Sequence, residues 1–252
     1  MSLKYCLVFL ILAFACVVLT LALWEYVAWF GVVFIYCAVS FLLLSIAYAG
    51  AGPGLLLKRA SGRHPIIAWL LFGPYFILNS LTFCLYRLMS NEPPYTQVAP
   101  NIFFGRRLTP RECEENRWVS VLDLAGEFAE SHQLRKLEGY KSLPVLDATA
   151  PTEEQLRSAV AWLIASVATG PVYVHCALGH GRSACVVIAY LLSVGIVGSV
   201  AEGVQLLRSL RAGVRLHPEQ HQRLRVFEKK SDLKQKIFPR AVEEKPSRSA
   251  KQ

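Results

Sequence analysis

The sequence lacks the cysteine patterns that staple small secreted domains or hold zinc. Its seven cysteines are an odd number without regular spacing, so neither a disulfide framework nor a zinc site is predicted. Cys6, Cys16, Cys37 and Cys84 lie in apolar stretches, where cysteine acts as a small hydrophobic residue. We therefore predict no metal and no cofactor, and a chain suited to a reducing compartment.

The middle of the chain also lacks an excess of charge of either sign. Residues 96–228 carry 14 basic and 13 acidic side chains, whereas residues 1–95 have a net charge of +3 and residues 229–252 of +5. A neutral body with a short basic tail argues against a nucleic-acid-binding surface. Residues 230–252 predict a solvated, disordered tail, with weak attraction to anionic lipid headgroups as the alternative.

Charge is absent from two long runs at the start of a chain that is 54% hydrophobic. Residues 5–23 and 26–49 contain no charged side chain, and each run is long enough to cross a bilayer as a helix. Trp24 and Glu25 alone separate them, so they predict a helical hairpin. A cleaved signal peptide is the alternative for the first run, but a second run follows at once without a small-residue cleavage site.

A third apolar segment, residues 66–86, completes a predicted transmembrane region over residues 1–89. Gly73 and Pro74 interrupt its middle and Asn79 is polar, but spanning helices tolerate such residues. A re-entrant or interfacial helix is the alternative.

The basic residues around these segments conflict over topology. Lys58, Arg59 and Arg63 favour a cytosolic position for the loop 50–65 by the positive-inside rule. Three full crossings would then place the C-terminal part outside. Basic residues beyond the third segment nevertheless favour the inside as well, namely Arg87, Arg106 and Arg107.

The C-terminal part predicts an α/β domain. Residues 90–100 (SNEPPYTQVAP), rich in proline and polar residues, predict a linker in front of a domain at 101–229. Strand-like segments then alternate with helix-like ones, the last three helices lying near 182–194, 199–211 and 217–229. This alternation predicts a mainly parallel central sheet flanked by helices. The strand-like segments are NIFFG, WVSVLDLAG, SLPVLD and PVYVHC.

One loop of this domain combines residue types that suit phosphate chemistry. Cys176 follows the strand PVYVHC, and ligands bind beyond the carboxyl ends of parallel strands. Gly179 and Gly181 let the loop curl, so that its N–H groups and the start of the next helix cradle a tetrahedral anion. Arg182 offers a planar fork for two phosphate oxygens. We expect this positive field to lower the pKa of the thiol.

The pattern His-Cys-x5-Arg-Ser, formed by His175, Cys176, Arg182 and Ser183, resembles the signature loop of the cysteine-dependent protein tyrosine and dual-specificity phosphatases. The likeness covers about residues 97–228, and the membrane spans in front are similar to those of bacterial membrane-linked members. The resemblance implies that Cys176 is the nucleophile and that Arg182 binds phosphate. It also implies that Ser183 donates to the thiolate leaving group and that His175 orients the loop.

The same resemblance implies a general acid on a separate upstream loop. Asp147 stands 29 residues before Cys176, between a strand and a helix, and matches that position. Asp123 ends another strand and is the rival, although a turn-forming carboxylate explains it as well. Gln220 is a candidate for positioning water, with helix-surface polarity as the commoner explanation.

The positions of the signature loop set the substrate. The predicted substrate-binding residues are Ala177, Leu178, Gly179, His180, Gly181 and Arg182. Ala177, Leu178 and His180 set the walls of the loop, and related enzymes that prefer highly phosphorylated inositol rings carry Lys or Arg at these positions. Here His180 is the one titratable wall residue, so a strongly polyanionic substrate is not expected.

We predict a membrane-anchored phosphatase of the dual-specificity type that forms a phosphocysteine intermediate on phosphorylated proteins. The first alternative is a phosphatase of lipid phosphates such as phosphatidylglycerophosphate or a phosphoinositide, and the second is a catalytically silent phosphate-binding module. The expected partners are a phosphorylated protein or phospholipid and membrane lipid, without nucleic acid. Because exposed low-pKa thiols oxidise readily, we expect the catalytic domain on the cytosolic face, with the third apolar segment not fully crossing.

Overall fold

The computed structural model describes residues 2–25 and 28–237, which divide into an apolar helical part and an α/β part. Three N-terminal helices are long and apolar enough to cross a membrane. They are α1 (Leu3–Leu23), α2 (Ala28–Ile46, continued by a π-helical turn at Ala47–Ala51) and α3 (Ile66–Met89). Their positions agree with the three predicted apolar segments, and α3 continues through Pro74.

The first two helices form the predicted hairpin. The backbone N–H of Ser2 donates to the carbonyl of Tyr48 at 3.1 Å, which holds the start of α1 beside the end of α2. Phe9 of α1 stacks on Phe41 and Tyr48, with ring centroids 6.1 and 5.3 Å apart. The turn around Trp24 and Glu25 is therefore the far end of the hairpin.

The α/β part is built on a five-stranded sheet in the order β1-β2-β5-β3-β4. Strands β1 and β2 pair antiparallel, and the other three neighbouring pairs are parallel. Gly105 of β2 and Asp123 of β3 both align with His175 of β5. Three carboxyl ends thus meet where the loop 176–181 begins, and the predicted mainly parallel sheet is confirmed. The strands are β1 (Tyr95–Ala99), β2 (Ile102–Gly105), β3 (Ser120–Ala125), β4 (Gly139–Val145) and β5 (Val172–His175).

Helices cover both faces of this sheet. Leu122 and Val174 point into the larger core, formed with α6, α7, α8 and α9, whereas Val121 and Tyr173 point to the opposite face under α4 and α5. Capping boxes are present at the starts of α4 and α6. The helices are α4 (Pro110–Glu114), α5 (His132–Arg135), α6 (Glu153–Val167), α7 (Arg182–Val194), α8 (Val200–Leu210) and α9 (Pro218–Ile237).

Two predicted boundaries need correction. The predicted linker 90–100 contains the edge strand β1, because Tyr95 to Ala99 pairs with β2 and is half-buried along most of its length. Two prolines just before it and its polar residues conceal so short a strand, although proline is acceptable at the start of an edge strand. The predicted tail 230–252 begins inside α9, and residues 238–252 lie outside the described residues.

The segment between α2 and α3 is bound to the α/β part by a buried ion pair. Lys58 Nζ lies 2.6 Å from Asp123 Oδ2, and both side chains are fully buried. Lys58 also donates to the carbonyl of Ala125 at 2.5 Å, and the Tyr140 hydroxyl donates to Asp123 at 2.7 Å. Lys58 is thus a structural cation, not a solvent-facing charge of the loop.

We expect Lys58→Met to destabilise the full-length protein by about 3 kcal/mol, because it leaves the buried carboxylate of Asp123 without a cation. For a chain of this size the change corresponds to a Tm lower by about 6–12 °C. The measurement is thermal unfolding in detergent, followed by intrinsic fluorescence. The double variant Lys58→Met/Asp123→Asn should recover part of the loss, and Arg59→Met, at the neighbouring exposed position, should change little. Equal Tm values for wild type and Lys58→Met would contradict the ion pair.

Candidate active site

The sulfur of Cys176 lies at the bottom of the loop that follows β5. Cys176 is 3% exposed, the backbone N–H of Gly179 donates to Sγ at 3.3 Å, and the Ser183 hydroxyl lies 3.5 Å from Sγ. Burial by itself raises the pKa of the thiol. The positive charge of Arg182 and the hydrogen bonds from Ser183 and Gly179 outweigh burial, so the pKa of Cys176 is lowered. The arrangement favours a thiolate.

Glycine is required at one position of this loop by a close backbone approach. Gly179 has a φ of +81°, and a Cβ there would lie 2.4 Å from the carbonyl carbon of Gly105. The loop can therefore fold down over β2, with the Gly179 N–H pointing at the sulfur. Gly181 is the N-cap of α7, so the positive end of this 13-residue helix faces the same space.

Arg182 is a buried cation held by carboxylates. Its guanidinium, 2% exposed, makes a two-pronged contact with Glu127 at 2.6 and 2.7 Å. It also donates to the carbonyl of Val145 at 2.9 Å and lies 2.9 Å from Asp147 Oδ1. Glu127, in the loop after β3, is 1% exposed, so it neutralises the guanidinium and fixes its plane.

The loop after β4 brings Asp147 to the same place. The side chain of Asp147 is 62% exposed, yet it contacts Arg182. Ala148 next to it has a positive φ of 57°, and Gln220 Nε2 donates to the carbonyl of Thr149 at 2.8 Å. Because Gln220 is fully buried, helix-surface polarity does not explain it. Gln220 instead ties the start of α9 to the Asp147 loop.

The rival carboxylate Asp123 is occupied elsewhere. It pairs with Lys58 beneath the sheet edge and accepts the N–H of Ala125 at 3.0 Å, as expected of a turn-forming carboxylate. It does not line the pocket above Cys176 described below. Of the two predicted acids, the geometry therefore favours Asp147.

His175 is fully buried beside Glu130. Its Nε2 lies 3.0 Å from Glu130 Oε2, and its Nδ1 lies 3.3 Å from the carbonyl of Cys176. Burial lowers the pKa of His175, but the charge of Glu130 and its hydrogen bond outweigh burial and the pKa is raised. The imidazole therefore links Glu130 to the backbone of the nucleophile, a supporting position under the loop.

Asp123, Glu130 and His175 bring ligand-type atoms within 4.8 Å of one another, a spacing that suits a metal ion. Lys58 already neutralises Asp123, and His175 already pairs with Glu130. The charges of this cluster are thus balanced by the protein's own side chains.

His180 on the opposite wall is held from the end of α3. Its Nε2 lies 2.6 Å from Glu92 Oε2 and 3.4 Å from the Tyr86 hydroxyl. Glu92 also contacts Arg211 at 3.0 Å and accepts the N–H of Gly213 at 2.8 Å. One carboxylate therefore connects the residues after α3 with both the signature loop and the segment before α9.

A pocket of about 340 Å³ opens above the sulfur. Of the predicted loop positions, Leu178, His180, Gly181 and Arg182 line it, whereas Ala177 packs against the Phe83 and Phe128 cluster. Ser183 lies behind the sulfur, fully buried. The remaining lining residues are Asp147, Ala148, Cys176, Gly213, Arg215, His217 and Gln220.

Sequence reasoning did not find Glu127, Glu130, Glu92 or Lys58. Each meets its site partner across 45 or more residues of the chain, so no local spacing signals the contact. For Glu127 and Glu130 the sequence offers a weak indication. Both follow β3, at the edge of the sheet where the signature loop begins.

The chain is similar to known phosphatases. Residues 110–230 match the family description "Dual specificity phosphatase, catalytic domain". The human protein named phosphatidylglycerophosphatase and protein-tyrosine phosphatase 1 is 27% identical over 165 residues, covering 58% of this chain and 82% of that protein. These likenesses support a cysteine-dependent catalytic domain of the dual-specificity and protein tyrosine phosphatase type in this part of the chain, and such a domain implies phosphoric monoester hydrolase activity.

Solved structures share the fold. Tk-PTP in its active form is 28% identical, with a TM-score of 0.50, and covers 54% of this chain and 97% of its own. PTPMT1 in complex with PI(5)P is 22% identical, with a TM-score of 0.51, and covers 56% of this chain and 99% of its own. The apolar N-terminal helices precede the stretch matched by the family.

We expect Glu127→Gln to impair both stability and phosphate binding, because Arg182 then loses the charge that neutralises it and fixes its plane. The expected loss is about 3 kcal/mol of unfolding free energy, together with a weaker inhibition constant for inorganic phosphate. Chemical denaturation and inhibition of aryl phosphate hydrolysis measure the two effects.

Glu153→Gln is the matched control, because Glu153 pairs with Arg157 and Lys230 at the surface. It should leave the unfolding free energy nearly unchanged, because exposed ion pairs contribute little, and it should leave phosphate inhibition unchanged. Glu127→Asp should restore part of the phosphate affinity if Glu127 positions the guanidinium. A Glu127→Gln protein with unaltered phosphate inhibition would refute this positioning role.

Proposed function

We propose that this protein is a membrane-anchored phosphatase that removes phosphate from phosphomonoester lipids through a phosphocysteine intermediate. The proposal of a lipid substrate rests on one observation, which is that the pocket lies next to residues of the N-terminal part of the chain. Three residues at the pocket, Asp147, His180 and His217, each contact a side chain from the N-terminal part. The geometry around Cys176 supports the catalytic roles that we propose for its neighbours.

In the first step, the Cys176 thiolate attacks phosphorus and the ester oxygen leaves. Arg182 and the N–H groups of the loop bind the equatorial phosphate oxygens. An incoming phosphate competes with the carboxylates for the guanidinium. Asp147 is 62% exposed and Glu127 only 1%, so Asp147 is the partner displaced. Away from the guanidinium, Asp147 takes up a proton from solvent and gives it to the leaving oxygen.

In the second step, water attacks the phosphocysteine and the sulfur leaves as a thiolate. Asp147, now ionised, takes the proton of the water. The Ser183 hydroxyl, 3.5 Å from Sγ, donates to the departing thiolate. Gln220 holds the Asp147 loop in place through the carbonyl of Thr149.

The contacts around the pocket support a lipid as the phosphate carrier. The Tyr48 hydroxyl, at the end of the α1–α2 hairpin, donates to the carbonyl of Asp147 at 3.1 Å. The ring of Tyr5 lies 6.4 Å from that of His217, and Tyr86 near the end of α3 contacts His180. A phosphate at the level of these side chains lies at the surface of the membrane that the helices enter. The name of the human relative, which includes a phospholipid phosphatase activity, adds support.

Phosphorylated protein is the second candidate, favoured by the tyrosine phosphatase activity in the name of the same relative. A membrane anchor raises the local concentration of membrane-protein substrates as much as that of lipids. The two substrate classes share the same chemistry at Cys176, so they differ in kcat/KM and not in mechanism.

The test uses full-length protein in lipid nanodiscs, assayed against phosphatidylglycerophosphate in the disc, a phosphotyrosine peptide and an aryl phosphate. We expect a higher kcat/KM for the lipid than for the peptide. Cys176→Ser should abolish turnover of all three substrates. Asp147→Asn should lower kcat about 100-fold or more on the lipid, and less on the aryl phosphate, whose leaving group needs little protonation.

Cys185→Ser is the matched control, since Cys185 is buried in the core and burial raises its pKa to about 12. It should leave turnover intact. Activity that survives Cys176→Ser would remove the mechanism, whereas a higher kcat/KM for the peptide would leave the mechanism and overturn the lipid assignment.

We also propose that the chain crosses the membrane twice and that α3 lies along the catalytic domain without crossing. The segment before α3 binds Asp123 through Lys58, and the segment after it binds His180 through Glu92. Asp123 is the register partner of His175, and neighbouring strands lie about 5 Å apart. A crossing helix would instead have to separate its two flanks by a hydrocarbon core of about 30 Å.

Burial along α3 supports this placement. Phe72, Phe76 and Phe83 are buried against the rest of the protein, whereas Leu70 and Leu81 on other sides of the helix are more than 60% exposed. The helix therefore presents apolar side chains outward along its length, as a helix embedded in the membrane interface does. With two crossings, the loop 50–65 and the catalytic domain share one side, and the positive-inside rule assigns it to the cytosol.

Single cysteines introduced into the full chain test the topology. In intact cells, a membrane-impermeant maleimide should label Glu25→Cys at the hairpin turn. Ser61→Cys before α3 and Ser209→Cys in the catalytic domain should be labelled after permeabilisation alone. The unmodified protein, with its exposed Cys84, provides the background. Labelling of Ser61→Cys and Ser209→Cys from opposite sides would show that α3 crosses.

A further inference from the structure

Two segments far apart in the chain form a basic pocket beside α3. The turn before α3 contributes Arg59, Ser61 and Arg63. The helix α5 and its C-cap residue contribute the other three side chains. The cavity between them measures about 320 Å³. We call it the basic pocket; its residues are Arg59, Ser61, Arg63, His132, Arg135 and Lys136.

The pocket is fixed by backbone contacts between the two segments. The turn closes through hydrogen bonds between the backbones of Arg59 and Arg63 at 2.9 Å and of Gly62 and Arg59 at 2.8 Å. The carbonyl of Gly62 accepts the N–H of Glu130 at 2.8 Å, which docks the turn just before α5. Gly62 has a φ of +74°, and a Cβ there would lie 2.2 Å from the Tyr140 hydroxyl. A side chain at this position would be strained in its backbone and would have to displace the Tyr140 side chain.

No carboxylate among the described residues neutralises the cations of the pocket. Among the described residues, Arg59, Arg63, Arg135 and Lys136 form no ion pair. The pKa of His132 is lowered, mainly by the charge of Lys136 and further by Arg135 and Arg63, which shows how concentrated the positive charge is. Such a concave positive surface attracts anions.

The apolar start of α3 lies immediately next to these cations. Ile66, three residues after Arg63, is 80% exposed, and Ile67 and Leu70 are 47% and 63% exposed. Exposed apolar side chains beside unpaired Arg and Lys are the signature of a surface that rests on a membrane. Lipid acyl chains can contact the apolar side chains, and anionic headgroups can bind the Arg and Lys side chains.

We infer that the basic pocket binds the headgroups of anionic lipids and thereby docks the catalytic domain on the bilayer. The occupant is the anionic leaflet itself and not a soluble phosphate, because the pocket is continuous with the apolar face of α3. The inference rests on the proposed membrane attachment but not on the catalytic roles, since no residue of the pocket lines the cavity above Cys176.

The test is photo-crosslinking of the full chain in proteoliposomes of phosphatidylcholine and phosphatidylglycerol. Trace amounts of a photoactivatable phosphatidylglycerol or phosphatidylcholine are added, and labelled peptides are quantified by mass spectrometry. Peptides that cover residues 59–63 and 132–136 should take up the anionic probe about tenfold more than the zwitterionic probe. High salt should reduce this preference.

The triple variant Arg59→Gln/Arg63→Gln/Lys136→Gln removes three exposed cations whose side chains make no hydrogen bond among the described residues. It should bring the ratio of the two probes close to one, while hydrolysis of a soluble aryl phosphate stays unchanged. Arg117→Gln/Arg225→Gln, which removes two exposed cations elsewhere in the domain, should keep the preference. A triple variant that keeps the preference, or a control variant that loses it equally, would overturn the inference.

Discussion

The electrostatics of the site depend on one buried cation. Arg182 lowers the pKa of Cys176 against the opposing effect of burial, and it can remain buried because Glu127 and Asp147 neutralise it. The two carboxylates differ in exposure, one sealed in the domain and the other facing solvent. An anionic substrate can therefore replace the outer partner without removing the inner one. The contact with Glu127 can therefore keep the Arg182 guanidinium in the same position whether Asp147 or an anionic substrate is its second partner.

The apolar helices are part of this site and not only its tether. Tyr48 contacts the Asp147 loop, Glu92 contacts His180, and Lys58 neutralises Asp123. Each contact joins the N-terminal part to a different element at the carboxyl edge of the sheet, namely the Asp147 loop, the signature loop and strand β3. A catalytic domain cut away near residue 96 would lose all three contacts, including the cation for a fully buried carboxylate. Its folding and its acid loop would then differ from those of the whole chain.

The local parts of this design could be predicted from the sequence. The strand, the glycine-spaced loop and the helix start at Arg182 are contiguous, and their hydrogen bonds join residues a few positions apart. The parallel sheet follows in the same way from alternating segments. The partners of Arg182 and His175, by contrast, lie 55 and 45 residues away, so their approach depends on strand order, which no local pattern encodes. The strand β1 was not predicted from the sequence for a related reason, because a short edge strand has little apolar periodicity of its own.

The different surroundings of Asp123 and Asp147 explain why one is a structural carboxylate and the other is the candidate general acid. Asp123 and Asp147 follow similar apolar runs, and the sequence offers each as a general acid. Asp123 is fully buried, fixed by Lys58 and by the Tyr140 hydroxyl, so it cannot reach a substrate. Asp147 is exposed on a loop beside the pocket, in contact with the Arg182 guanidinium. Because Lys58 belongs to the segment between the apolar helices α2 and α3, the N-terminal part of the chain itself holds Asp123 away from the pocket, which supports Asp147 as the proposed general acid.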